Sequence, residues 1–391
     1  MQYIYGSFID GWYNLRFFLN SYFQDSEKRL RQISNSIYIL NHLINDELEV
    51  DQKMEKLKTL FESTIWFSYR TKIPQLQYST LTSDTGWGCM LRVGQMALCQ
   101  QIKYFYNLNT QQELTELIQQ FADNDEEELS QFMNRNDGDL TIQYKSPFSI
   151  QKIVVQTKQE LQKLPGEWYK PNDILFVLKY LFRYSKYQKN LRIHINHENA
   201  FILSDIISLM FNTNGGDEEW LKEQIQKGQN QSHQFGVSIF ILTRIGLETC
   251  NPEYLKVLNE IMTYPQFQGI LGGFPNKALY ILGRVGDYYI YLDPHYVQYA
   301  QTYQEMENDK QSYACQNIQL IDRTQLDPSM AISFCVKNAL DLLDLWRRLK
   351  QSKSENGESF FIALTETHTF YQLAQSYYYG SDEDEIVTIL N

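Results

Sequence analysis

The stretch Asp84-Thr85-Gly86-Trp87-Gly88-Cys89-Met90-Leu91-Arg92 puts a thiol where a loop turns into a helix. After Cys89, the residues Met90, Val93, Ala97 and Leu98 recur at helical spacing, which predicts a helix with one apolar face and Cys89 in its first turn. The unpaired N–H groups and positive dipole end of a helix favour a thiolate over a thiol at that position. Gly86 and Gly88 lack side chains and would let a substrate backbone approach closely, while Trp87 offers a flat apolar wall beside the sulfur. Cys89 is therefore a candidate nucleophile. Taken alone it also fits inert packing, because cysteine is among the most buried residue types.

A nucleophilic thiol needs a base and a third group that sets the base's tautomer and orientation. Residues 288–292 read as a strand that runs directly into Asp293-Pro294-His295. In an extended chain residues two apart share a face, and Pro294 restricts both its own φ and the dihedrals of Asp293. Asp293 and His295 would then project the same way, with the carboxylate orienting the imidazole. The plain alternative is a turn that carries an exposed histidine. Of the other histidines, His42 falls in a helical pattern, His194 and His197 have no carboxylate two residues earlier, and His233 and His368 lie in polar segments. Cys99 is ten positions from Cys89, and at about 100° per residue it turns to another helix face, so it reads as packing. Upstream of the strand, Gly272-Gly273-Phe274-Pro275-Asn276 is a set of turn formers, either a simple bend or a lid whose glycines permit opening.

A chain of 391 residues can build one enlarged domain or two to three ordinary ones, and two lobes are expected. With 35 Lys and Arg against 47 Asp and Glu, the net charge of −12 argues against a nucleic-acid or anionic-membrane footprint. The five cysteines are odd in number and form no C-x-x-C pair, which points to reduced thiols without structural zinc in a cytoplasmic protein. Asp10, Gly11 and Arg16 interrupt the aromatic N-terminus, so no signal peptide or membrane span is expected there. Residues 1–25 read as an adaptable arm and residues 26–61 as one or two amphipathic helices. The Gln- and acid-rich run at 111–139 reads as a solvated face without chemistry. Ser149 is a candidate cap for an Ile-rich helix and Asn172 for residues 174–182, while 212–232 reads as a connection between lobes. Residues 236–243 read as a buried strand, 279–282 with 288–292 as a hairpin, and 338–350 as an amphipathic helix. The class is α+β, without internal repeats.

Six motifs, in this order, resemble one family: Trp66-Phe67-Ser68-Tyr69-Arg70, the Thr82-to-Arg92 stretch around Cys89, Trp168-Tyr169-Lys170-Pro171-Asn172, Gly272-Gly273-Phe274-Pro275-Asn276, Tyr291-Leu292-Asp293-Pro294-His295 and Leu326-Asp327-Pro328-Ser329. The chain is similar to the autophagins, the autophagy-related cysteine endopeptidases. The resemblance implies a papain-like cysteine protease fold with an added small helical lobe. It further implies an N-terminal arm and helices over 1–60, a protease core over 61–375 with the lobe inserted around 110–210, and an acidic flexible tail over 376–391.

It also implies a triad of Cys89, Asp293 and His295, with Tyr69 at the oxyanion and Trp168 covering the cleft. Gly272, Gly273, Phe274, Pro275 and Asn276 would form a regulatory loop, in which Phe274 stands where the family carries lysine. In the tail, Asp382 to Glu385 precede Ile386-Val387-Thr388-Ile389, similar to the family's modifier-binding motif, with Ile386 and Ile389 as the anchors and Ile386 in the place of an aromatic residue. The implied activity is cleavage after a C-terminal glycine of the ubiquitin-like autophagy modifier and release of that modifier from its phosphatidylethanolamine conjugate. No metal, cofactor or nucleic acid is implied, and membrane proximity arises only through the lipidated substrate. The alternatives are a non-catalytic module of the same fold that binds the modifier, and a deubiquitinase or transglutaminase-like thiol enzyme. Retention of all three triad residue types weighs against the first, and the six motifs against the second.

Overall fold

A mixed sheet carries one half of the candidate site on its strand ends and supports the other half on its face. In the computed structural model, which describes residues 9–19, 26–32, 35–123, 126–135, 142–197, 199–228, 234–309 and 311–367, the sheet runs in the order Gln319–Asp322, Tyr288–Leu292, Lys277–Val285, Phe267–Phe274, Ser329–Val336, Gly236–Arg244, Leu191–Asn196. Neighbours pair antiparallel except the last two, which are parallel. The central strands read as unbroken apolar runs because both faces are covered, and Gly236–Arg244 is buried along nearly its whole length. The expected hairpin forms between Lys277–Val285 and Tyr288–Leu292, with a register shift between Ile281 and Gly283.

A second hairpin, Ile37–Ile39 with His42–Ile44, adds to this sheet through Ile37 opposite Val285 and Ile39 opposite Gly283. Gly283 permits the approach, since a Cβ there would lie 1.9 Å from the Tyr38 carbonyl oxygen. The helical reading of 26–61 thus holds only at its ends, Ser26–Gln32 and Val50–Glu62, and His42 sits on a strand. Pairing with a distant strand decides the local structure here.

On one face of the sheet lies the helix Cys89–Tyr106, buried continuously from Cys89 to Ile102. The expected single apolar face is therefore corrected: the sheet covers one side and the helix Pro171–Phe182 the other, so every side is interior. Gly94 sets the distance of that crossing, as a Cβ there would lie 2.5 Å from Ile174 Cγ1. Helices Gln111–Gln119, Glu126–Met133, Ile150–Leu161 and Pro171–Phe182 form the added helical layer and share one apolar core with the sheet.

Ser149 caps its helix as expected, its hydroxyl accepting the Lys152 N–H. Asn172 does not cap. Pro171 is the first helical residue, and Asp173 reaches back to accept the Lys170 N–H at 2.9 Å. The run at 111–139 is more than a solvated face, because Asp123 and Glu128 are buried and paired with Arg92 and Lys152.

The opposite face is covered by Leu203–Phe211, Pro252–Ile261 and Ala339–Asn356, with Phe201 stacked on Trp346. Residues 212–232, expected as a connection, contain the helix Glu218–Gln226, which the Trp346 indole N–H ties in through Glu218 at 2.8 Å. Asn338 caps the helix expected at 338–350, which continues to Asn356. Among the described residues no helix is long and apolar enough to cross a membrane. Ile386 and Ile389 lie outside the described residues, as do His233 and His368.

Candidate active site

One carboxylate organises the loop before Cys89. Asp84 Oδ1 accepts the Arg70 backbone N–H at 2.6 Å, and Oδ2 accepts the Arg92 Nε–H at 2.7 Å. Its carbonyl accepts the N–H groups of Trp87 and Gly88. Arg92 extends the pairing to Asp123 Oδ2 at 2.6 Å. The start of the central helix is thereby held against the short strand Tyr69–Thr71. Gly88 serves this arrangement, since a Cβ there would lie 2.5 Å from Asp84 Oδ2. The space at Gly88 is thus taken by the Asp84 carboxylate, a correction to the expectation that it admits a substrate backbone. Gly86 has φ +88° and does line the cleft. The Trp87 indole N–H donates to the Ser83 carbonyl at 3.0 Å and its ring leans on Tyr169, so it braces the loop. Gly88 is also the helix N-cap and supplies no side chain to the first-turn N–H groups.

The second half of the site follows the strand Tyr288–Leu292. The Asp293 carbonyl accepts the Trp66 indole N–H at 2.8 Å, and the Pro294 carbonyl accepts the Tyr69 N–H at 2.9 Å. Val297–Tyr299 then pairs parallel with Tyr69–Thr71, so Tyr69 and His295 stand side by side with rings edge to face at 5.3 Å. Asp293 Oδ1 lies 2.5 Å from His295 Nδ1 and accepts the His295 backbone N–H at 3.0 Å. That second bond makes an Asx-type turn, so the two side chains meet through a turn and not through an extended strand. With Nδ1 engaged by Asp293, Nε2 is left to serve the thiol of Cys89, which lies near enough to act on both the imidazole and the Tyr69 hydroxyl.

All three groups are deeply buried, with Cys89 0 %, Asp293 2 % and His295 9 % exposed. For Asp293 burial pushes upward, but the charges of His295 and Lys277 outweigh it and hold the carboxyl well below its usual range. For His295 burial disfavours the charged ring, yet Asp293 outweighs it, so the imidazole keeps its proton to higher pH than a free histidine. Burial, reinforced by Cys89, keeps the Tyr69 phenol neutral and available as a donor. The thiols of Cys99, Cys250, Cys315 and Cys335 are all pushed up by burial. The packing role expected of Cys99 fits its complete burial.

Lys277 escaped the sequence reading. Its ammonium lies 2.9 Å from Asp293 Oδ2. The nearest signal was its position just past the turn formers. Those turn formers are the tip of a β-hairpin: Gly272, Gly273 and Phe274 belong to the strand Phe267–Phe274, and Pro275-Asn276 make the bend, with Asn276 at φ +62°. The tip, with Trp168 (42 % exposed), borders a cleft of about 260 Å³ that reaches Tyr69, Asp293 and His295. A larger polar cavity of about 800 Å³, among Gln111, Tyr144, Lys186 and Glu307, holds none of these groups.

The remaining wall comes from the N-terminal segment. Residues 9–19 are helical, and Tyr13, Arg16 and Phe17 line the cleft. Asn14 brackets Val297 with bonds of 2.6 and 3.1 Å, Thr85 donates to Asp10 at 3.0 Å, and Phe17 stacks on Trp66. Nothing in the local pattern marked this segment as part of the site.

A buried thiol beside an imidazole whose Nδ1 meets an ionised carboxylate is the arrangement required for nucleophilic acyl transfer. A family profile described as the peptidase C54 catalytic domain matches residues 54–348. The chain is 30 % identical over 321 residues to cysteine protease ATG4A of Mus musculus, covering 77 % of this chain and 76 % of that one. It is 30 % identical over 323 residues to cysteine protease ATG4A of Homo sapiens, with the same two coverages. To cysteine protease ATG4D of Xenopus laevis it is 28 % identical over 327 residues, covering 75 % of this chain and 67 % of that one.

Proposed function

The chain belongs to the peptidase C54 family and is a cysteine-type peptidase of papain-like α+β fold, and from that premise we propose that Cys89, His295 and Asp293 are its catalytic triad. The observation that carries this reading is the buried pair of His295 and an ionised Asp293, 2.5 Å apart, with the buried Cys89 thiol beside the imidazole. His295 takes the thiol proton, the sulfur attacks a substrate carbonyl, and the Tyr69 hydroxyl donates to the oxygen as it gains charge. His295 then protonates the departing amine, the C–N bond breaks, and water hydrolyses the thioester to restore the thiol.

The proposed substrate is the ubiquitin-like autophagy modifier, cut after a glycine near its C-terminus. The phosphatidylethanolamine conjugate of that glycine presents the same amide chemistry with a different amine, and the protein meets a membrane only through it. The proposed location that goes with this substrate is the cytoplasm. The cleft of about 260 Å³ bordered by both Trp168 and the Pro275-Asn276 tip supports a thin, glycine-ended tail as occupant.

The test incubates precursor modifier with the wild type and with Cys89→Ala, alongside a modifier carrying Phe for the scissile glycine. The wild type should cut the precursor, Cys89→Ala should not, and the Phe substrate should lose at least about 100-fold in kcat/KM, about 2.7 kcal/mol. Processing by Cys89→Ala would overturn the nucleophile, and equal cleavage of the Phe substrate would overturn the narrow cleft.

A further inference from the structure

We propose that Lys277 is a positioning residue for this reaction: its ammonium holds the outer oxygen of Asp293 so that the inner oxygen faces His295, and its charge offsets the carboxylate that the imidazole meets. The proposal rests on the triad reading above.

Asp293 has two oxygens with separate duties. Oδ1 serves both the ring and the backbone N–H of His295, whereas Oδ2 faces away from the ring and meets Lys277 Nζ at 2.9 Å. At 2 % exposure the carboxylate has little access to water, so an outer oxygen without a donor would be a buried charge left half satisfied. Lys277 is well placed to supply that donor. It follows the hairpin bend, stands opposite Phe274 in the register, and its strand continues to Tyr280 opposite Leu292, the residue before Asp293. The ammonium also lies 5.9 Å from the Phe274 ring centre, and its side chain is 20 % exposed at the cleft wall.

Two cations therefore share one carboxylate. Among the described residues, the groups facing the His295 imidazole and its cleft are Asp293, Cys89, Tyr69, Tyr13, Arg16 and Lys277. Replacing Lys277 by an uncharged residue leaves the full charge of Asp293 to act on the imidazolium, which favours the protonated ring. The alkaline limb of kcat/KM, where His295 loses its proton, should then move to higher pH. A carboxylate freed at its outer oxygen also holds the ring less firmly, so kcat should fall.

The experiment compares full-length wild type, Lys277→Met, Lys277→Gln and Lys277→Arg on precursor modifier from about pH 5 to pH 10. Thermal midpoints and the pH profile of Cys89 alkylation by iodoacetamide are followed in parallel. Lys277→Met should lose about 10- to 50-fold in kcat with KM within about twofold, and its alkaline limb should rise by about 0.5 to 1 pH unit. Lys277→Gln, which keeps a donor and loses the charge, should show the same limb shift with a smaller loss of kcat. Lys277→Arg should restore both. A raised KM with an unmoved profile would make Lys277 a substrate contact, and a lowered thermal midpoint with an unmoved profile would make it a structural clamp; either overturns the proposal. Wild-type profiles in the Met and Gln variants, with Cys89→Ala inactive, overturn the Lys277 assignment alone. Turnover by Cys89→Ala overturns the triad and this proposal with it.

Discussion

His295 is a deeply buried histidine that stays basic because Asp293 outweighs the cost of burying its charge. That balance has a sign. Asp293→Asn removes the charge that raises His295 and keeps the side-chain shape, so the imidazolium loses its proton at lower pH and the alkaline limb of kcat/KM moves down. The asparagine can also present its NH₂ group to Nδ1, which selects the wrong tautomer, and kcat should fall by about three to four powers of ten, as in other triads. A pH–rate profile of wild-type height and position in Asp293→Asn would exclude the role given to this carboxylate. The shift is opposite in direction to that expected for Lys277→Met, so the two variants together measure how the shared carboxylate divides its charge.

Among the elements, the helix Cys89–Tyr106 explains why the thiol is held in place. A helix buried on all sides must satisfy its polar side chains internally. Arg92 does so in part, pairing Nε with Asp84 and Nη1 with Asp123 while Nη2 finds no partner among the described residues, and Gln95 does so through the Phe148 carbonyl at 2.8 Å, whereas the Gln101 amide has no partner among them. Because Asp84 also accepts the Arg70 N–H, the same network connects the helix start to the strand bearing Tyr69. Asp123→Ala leaves Arg92 one carboxylate short in a site closed to water. It should cost about 3 kcal/mol in denaturant unfolding, the lower end for a broken buried pair because Asp84 remains. A loss under about 1 kcal/mol would show that Asp123 is a minor member of the network. Since Asp84 and not Asp123 touches the Cys89 loop, the folded fraction of Asp123→Ala should keep kcat within about fivefold.

Across the whole molecule, Cys89 has no exposed surface, so some part of the wall must move before a substrate carbonyl can reach the sulfur. The N-terminal residues 9–19 are the part of that wall least integrated into the core, since Trp12, Leu15, Phe18 and Leu19 remain exposed while Phe17 alone is deeply buried. Asn14 fastens this helix through its two bonds to Val297, next to the strand that carries Tyr69. At about 1 kcal/mol each, losing both should shift the opening equilibrium by up to about 2 kcal/mol. Asn14→Ala is therefore expected to speed alkylation of Cys89 by iodoacetamide by about tenfold. An unchanged rate would mean that access is governed elsewhere, at Trp168 or at the Pro275-Asn276 tip.

The order of residues was sufficient for Cys89 at a helix start, for the meeting of Asp293 with His295 though not for the turn that joins them, for the cap at Ser149 and for the buried strand at Gly236–Arg244. Each rests on dihedral preference, side-chain periodicity or a hydrogen bond spanning a few residues, all of which are written locally. Tertiary structure alone decided that Lys277 meets Asp293 and that Asp123 completes the pairing of Arg92. It also decided that Ile37–Ile39 adds to the sheet and that residues 9–19 cover the cleft. These contacts join segments far apart in the chain, and they depend on strand register and on how closely a helix and a sheet approach. Register is set by the sum of many side-chain contacts across a packed interface, and no short stretch of residues contains that sum.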